Sequence, residues 1–421
     1  MKRRHLFGAA ALALLLSTSL ATAQEVTGEI KLLTWFGGDE LATLHAAEEA
    51  FVAKNPGVKF TEVIPTAAGH PAGGLRTVLL GGEPIDLIVN TWPWFRKELA
   101  DSGLIVPIDD AWAAHNWDQY LNASWKTLGQ TDGVTYGVQY NFGNRSGWFY
   151  LNSSLEKAGV TPPKTWDDFT ASIPKFKGAG IIPMSLAAKD IGHSEIFATL
   201  LVRVGGVEAA QKLAAHEIAW TDPVVKDTML KFKEMFDLGA FPDSATALGT
   251  AWDNAADTTL KQGTTGYLQM FGYAAVYAQQ QFGVAPGKNF NITQFPAMGL
   301  GHDDTSVVEA KEMLIGASGQ NKTAAEAFLD FLLGAEASNI YAKAGFGVPS
   351  SAVDTSLFGD VVKQASDVVK TAKLQFVLAD TLPGELSDEF NVQLQKFVQT
   401  PDEATIDVVL AAIEAKAKDL Y

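Results

Sequence analysis

Aromatic side chains gather directly after the apolar runs of this chain, each beside groups that form hydrogen bonds. Trp35 follows "EIKLLT" and precedes "FGGDE"; Trp92 and Trp94 follow "IDLIVN"; Phe271 and Tyr273 follow "GYLQM". An aromatic face stacks on the C–H face of a pyranose, while charged and amide neighbours hydrogen-bond its hydroxyls. Any one tryptophan fits a core as well as a site. Three run ends with the same feature favour a site.

Other chemistries find little support. No GxSxG elbow, phosphate-binding GxxxxGK[ST] loop or HExxH pair occurs. His302, Asp303 and Asp304 could ligate a metal, but a polar loop is the preferred reading. A glycosidase pair cannot be picked out among 48 acidic residues. The expectation is therefore no catalytic residue, no cofactor and no metal. The chain has no cysteine, which excludes thiol nucleophiles, thiolate metal sites, disulfides and a thioether lipid anchor. A formal net charge of −16 argues against nucleic acid and anionic membrane surfaces as partners.

The elements that must position these residues read as strands alternating with helices. "EIKLLTW" suits a buried strand, Leu41, Leu44, Ala47 and Phe51 recur at helical spacing until "NPG", and "VKFTEVI" follows as a second strand. Such an opening favours a parallel sheet covered by helices, and in open α/β sheets ligands sit beyond the carboxyl ends of the strands. Further strands are expected at "IDLIVN", "GWFYL", "GYLQM" and Glu312–Ala317, and amphipathic helices at "NKTAAEAFLDFLL" and at the C-terminus. In "EKAGVTPPKTWDDF", Gly159 stops a helix, two prolines hold the chain extended, and Thr165 with Asp168 forms a capping box for the next helix. A chain of 421 residues suits two lobes, and the absence of an obvious linker suggests repeated crossings between them.

The first 23 residues read as a cleaved export signal: Lys2, Arg3 and Arg4, then an apolar run too short to span a bilayer, then "ATA" before Gln24. With no lipid-bearing cysteine, a soluble monomer of the periplasm is the expectation.

The segment "DGVTYGVQYNFGNRSGWFYLNSSLEKAGVTPPKTWDDF" resembles a signature of the extracellular solute-binding proteins of carbohydrate ABC importers, the group that includes maltose-binding protein. "FVAKNPGVKFTEV", "GGEPIDLIVN", "LADSGLIVPIDD" and "NKTAAEAFLDFLLGAEASNIYAKAGFGVPSS" extend the resemblance, in order, over nearly the whole chain after the leader. It implies a two-lobed α/β clamp, the type II periplasmic-binding-protein fold, each lobe a central, mostly parallel sheet flanked by helices. One lobe would take residues 24–139 and 297–337, the other 140–296 and 338–421. A sugar held between the lobes would pass to an inner-membrane permease pair with its ATPase, without chemistry on the cargo.

The resemblance also implies where contacts lie. Trp35, Gly38, Asp39 and Glu40 occupy the loop after the first strand; Thr91, Trp92 and Trp94 match a loop offering a stacking ring and a polar group. Asn144 and Arg145 follow the first crossing, where maltose-binding protein has an acidic contact. Arg145 is thus a departure, serving either hydroxyls or an anionic group of the ligand, or else an inter-lobe salt bridge. Asp190 and His193 are either second-lobe contacts or a surface loop. Met270, Phe271 and Tyr273 match an aromatic platform from which the usual tryptophan is missing. Glu309 and Lys311 replace a common Gly-Gly pair, and Phe346 is a late stacking candidate. Two alternatives stand beside the sugar. Asp39, Glu40, Asp190 and Glu309 could receive a polyamine, and a carboxylate-dependent glycoside-active enzyme is the reading from a different class.

Overall fold

The computed structural model describes residues 26–66 and 71–421. The leader read at residues 1–23 lies outside them. The chain forms β1 (Gly28–Leu33), β2 (Val58–Val63), β3 (Leu87–Asn90), a small hairpin of β4 (Gln130–Thr131) and β5 (Val134–Thr135), and β6 (Gly137–Asn144). Then come β7 (Trp148–Leu151), β8 (Ile182–Met184), β9 (Thr265–Gln269), β10 (Phe290–Thr293), β11 (Thr305–Ile315) and β12 (Lys373–Phe376). Two sheets result, one ordered β12-β11-β3-β1-β2 with β6 also paired to β11, the other β10-β7-β9-β8.

Each sheet has its own core because each carries apolar runs that helices cover. Ile30, Leu32, Leu87 and Val89 meet Phe51 and Phe328 around the first sheet. Trp148, Phe169, Phe197, Trp220 and Phe390 fill the main core of the second. Helix α1 (Gly38–Lys54) lays Leu44, Ala47 and Phe51 on the first sheet and ends at Asn55, ahead of Pro56. The turn chemistry around Thr165 forms as read. Gly159 has φ 64, a left-handed stop, and Thr165 and Asp168 make the reciprocal capping box of the helix Trp166–Gly178.

Parallel pairing dominates only the first sheet. There β2, β1 and β3 run parallel and β12 follows β11, although β11 opposes β3 and β6. In the second sheet β8 and β9 are parallel, but β7 opposes both β9 and β10. The mostly parallel expectation therefore does not hold there. Chain direction is the reason: β7 leaves the first sheet's neighbourhood and β10 returns toward it, so strands lying side by side must oppose.

Strand β11 begins at Thr305, seven residues before the expected Glu312. Glu309 and Lys311 break the apolar pattern, while its ladders with β6 and β12 hold the backbone extended regardless of side-chain polarity. After residue 337 the chain packs against both cores. Tyr341, Val348, Phe358, Leu374 and Phe376 pack in the first core, Val361 packs with Phe149 and Phe290 of the second sheet, and Val377 and Leu378 join the main core of the second. No described helix is long and apolar enough to cross a membrane.

Candidate functional site

A cavity of about 560 Å³ lies between the two sheets. The first-sheet side supplies Gly37–Glu40, from the loop after β1 and the first turn of α1, together with Glu309 and Lys311 of β11. The second-sheet side supplies Phe149, Gln280, Ile292 and the Phe271–Tyr273 loop that follows β9. Arg145 enters from the segment joining β6 to β7, and Phe346 from the turn after the helix Ala335–Lys343.

Both sides touch across this cavity. Gln280 Nε2 donates to Asp39 Oδ2 at 2.6 Å, and the Gly272 N–H donates to Glu309 Oε1 at 3.3 Å. Two glycines allow that approach. A Cβ at Gly272 would stand 3.2 Å from Gly143 Cα, and one at Gly143 would stand 2.5 Å from Glu309 Oε1.

Arg145 is the electrostatic centre. The residue is 6% exposed, and its guanidinium lies 2.8 Å from Glu195 Oε1, 3.2 Å from Glu309 Oε2, and 5.4 Å from the Phe271 ring centre. Burial alone would raise the Glu309 carboxyl, but Arg145, Lys311 and the Gly272 N–H outweigh it and hold it below its ordinary value. Behind the cavity the balance reverses. Burial pushes Glu195 up to about 8 against the pull of Arg145, and pushes Asp380 up to about 6. Lys311 stands 3.7 Å from Glu40, whose carboxyl is raised by burial despite that neighbour. The lining acids thus face partners on the protein: Asp39 meets Gln280, Glu40 meets Lys311, and Glu309 meets Arg145.

Among the residues singled out in the sequence, Gly38, Asp39, Glu40, Asn144, Arg145, Phe271, Tyr273, Glu309, Lys311 and Phe346 border the cavity. The others do not border the described cavity. Trp35 packs on Trp92, ring centres 4.6 Å apart, with Lys311 Nζ 5.9 Å from its own centre. Trp92 is 8% exposed within the core formed by Leu33, Ile88 and Phe95, so core packing claims it. Thr91 donates its hydroxyl to the Ala310 carbonyl at 2.9 Å, tying the end of β3 to β11. Trp94 is half-buried, with the Arg76 guanidinium 6.0 Å from its ring centre.

Asp190 Oδ2 accepts from the Trp252 N–H at 2.7 Å, at the start of the helix Trp252–Ala256. His193 is fully buried, its Nε2 3.1 Å from the Asn391 carbonyl, and burial depresses its pKa to about 4. Met270 is fully buried beside Phe149 and Leu268. The tryptophan missing from the loop arrives from elsewhere in the chain. Trp252 packs 5.0 Å from Phe271 and 6.2 Å from Tyr273, ring centre to ring centre, and so supports both.

Sequence reading missed Phe142, Phe149, Gln280, Glu195 and Asp380. The first three carry no local mark. The two acids do: Glu195 directly precedes the apolar run "IFATLLV" and Asp380 sits in "LADTL", and an acid buried with such a run requires a partner.

Three comparisons bear on this arrangement. The family model "Bacterial extracellular solute-binding protein" matches residues 38–339. A probable sugar-binding periplasmic protein of Mesorhizobium japonicum is 26% identical over 322 residues, 71% of either chain. An uncharacterized ABC transporter extracellular-binding protein of Pyrococcus horikoshii is 26% identical over 57% of this chain but only 55% of its own length. Among solved structures, the bacterial solute receptor AcbH, described as having an exclusive preference for β-D-galactopyranose, superposes with a TM-score of 0.78. That superposition covers 94% of this chain and 99% of the other at 20% identity, a likeness of fold. The fold is the two-lobed α/β clamp.

Proposed function

This chain belongs to the bacterial extracellular solute-binding protein family, and from that premise we propose that it is the receptor of an ABC importer for a neutral sugar. The cavity takes the sugar between the lobes, and an inner-membrane permease with its ATPase receives it unaltered. Export by a cleaved leader and action as a monomer in the periplasm belong to the same reading. The lobes are joined by crossings near residues 144–146, 294–304 and 376–378.

One observation carries the choice of a neutral ligand: of the charges lining the cavity, Arg145 pairs with Glu309, Lys311 pairs with Glu40, and Asp39 accepts from the Gln280 amide. An anionic sugar would have to take Arg145 from the Glu309 carboxylate, and a polyamine would have to displace Arg145 from Glu309 or Lys311 from Glu40. A neutral sugar needs neither. Its hydroxyls find donors and acceptors at Asp39, Glu40 and Lys311, and its C–H faces find Phe271, Tyr273 and Phe346. A volume of about 560 Å³ falls within the range of about 300–1,000 Å³ usual for small-molecule sites. The relative from Mesorhizobium japonicum is described as sugar-binding, which supports this reading.

A melting-temperature screen against neutral mono- and disaccharides, with glucuronate and putrescine beside them, tests it. The expected outcome is a rise with one neutral saccharide, and micromolar affinity by calorimetry, about −8 kcal/mol. A rise with putrescine or glucuronate alone would replace the neutral-sugar reading. Hydrolysis of a glycoside would replace the receptor reading.

A further inference from the structure

We propose that His45, Glu48 and Glu62 form a binding site for a divalent transition-metal ion on the first lobe, apart from the sugar cavity. None of the three borders that cavity.

Local geometry brings them together. His45 and Glu48 stand three residues apart on α1 and so share one face of the helix. Side chains alternate along β2, so Glu62 points to the same side as Phe60. Phe60 packs against Phe51 of α1 at 6.1 Å, which is therefore the side that α1 covers. One donor atom from each of the three lies within 4.8 Å of the other two, and His45 Nε2 is 2.8 Å from Glu62 Oε1.

A separate observation points to a missing partner. Glu48 is 7% exposed, and its Oε1 is buried with no hydrogen-bond donor. A buried carboxylate left in that state is costly. A dication among these groups would satisfy that oxygen and would use the imidazole as well. One imidazole with two carboxylates suits Zn²⁺ and its neighbours, whereas Mg²⁺ and Ca²⁺ prefer oxygen donors alone. The His45 side chain is 46% exposed, which leaves a route for the ion and space for water to complete its shell. Bound there, the ion would tie α1 to β2, the edge strand of the first sheet.

The test is calorimetric titration of the untagged, chelator-treated protein with ZnCl₂, alongside its melting temperature. The expected result is one saturable site of micromolar or tighter affinity and a raised melting temperature, with millimolar MgCl₂ inactive. His45→Ala and Glu62→Gln should each weaken zinc binding at least tenfold. Both positions retain solvent access, and circular dichroism would verify that the variants fold. Cobalt substitution adds an independent readout, since visible absorption bands should appear in the parent protein and vanish in both variants. Absence of saturable zinc binding, or zinc affinity unchanged in both folded variants, would overturn the site. Preference for Ca²⁺ over Zn²⁺ would overturn the assigned metal class.

Discussion

Arg145 shows how far a single residue's type leaves its role undecided. The sequence allowed it to meet a ligand or to bridge carboxylates, and its guanidinium spans Glu195 and Glu309 while still bordering the cavity. Removing one partner of a buried ion pair strands the other. Arg145→Ala should therefore cost about 3–5 kcal/mol in urea unfolding, and adding Glu309→Gln, which removes the ionised partner, should restore part of it. Aromatic type was legible in the same incomplete way. Trp92 and Phe346 look alike as stacking candidates, yet one is core and the other borders the cavity. Trp92→Ala should lower stability by about 3–5 kcal/mol through the void it leaves. Phe346→Ala, at a half-buried ring, should cost less stability than Trp92→Ala and weaken binding of the best saccharide by about tenfold or more, read by calorimetry. The order of these two effects separates core from platform.

At the scale of elements, reading from sequence succeeded where local chemistry decides. The cap at Thr165, the stop at Gly159 and the end of α1 at Asn55 follow from φ preferences and hydrogen-bonding side chains. It failed where partners far along the chain decide. The early part of β11 is strand because β6 and β12 pair with it, and the polar pattern at Glu309 and Lys311 reflects the cavity it borders. The helix Gly192–Ala214 carries His193 into the second core, where burial holds it near pKa 4 against an ordinary 6.5. The folded state thus keeps this imidazole neutral while the unfolded chain binds a proton. Its contribution to stability is complete above about pH 6.5 and is lost as pH falls toward 4. Between pH 7 and pH 5 the parent should lose about 2 kcal/mol more than His193→Gln in urea unfolding. Parallel pH dependence in the two proteins would contradict the assignment.

Across the whole molecule, the two-lobed clamp was legible because strand–helix alternation and family resemblance agree. The placing of the segment 341–376 was not, since it packs on both sides, Tyr341 and Phe376 in the first core and Val361 beside the second sheet. Polar contacts cross the cavity, namely Asp39 with Gln280 and Glu309 with Gly272. A ligand touching both sides should therefore shift the protein toward the closed form. Bulk at the approach should oppose this: Gly272→Val should weaken saccharide binding while leaving the melting temperature of the free protein nearly unchanged. The most direct measurement is a crystal structure with the saccharide that raises the melting temperature most. One sugar should lie in the cavity between the lobes, a ring face against Phe346, Tyr273 or Phe271, with its hydroxyls reaching Asp39, Glu40 or Lys311. A sugar bound outside the cavity, or a hydrolysed product within it, would contradict the account.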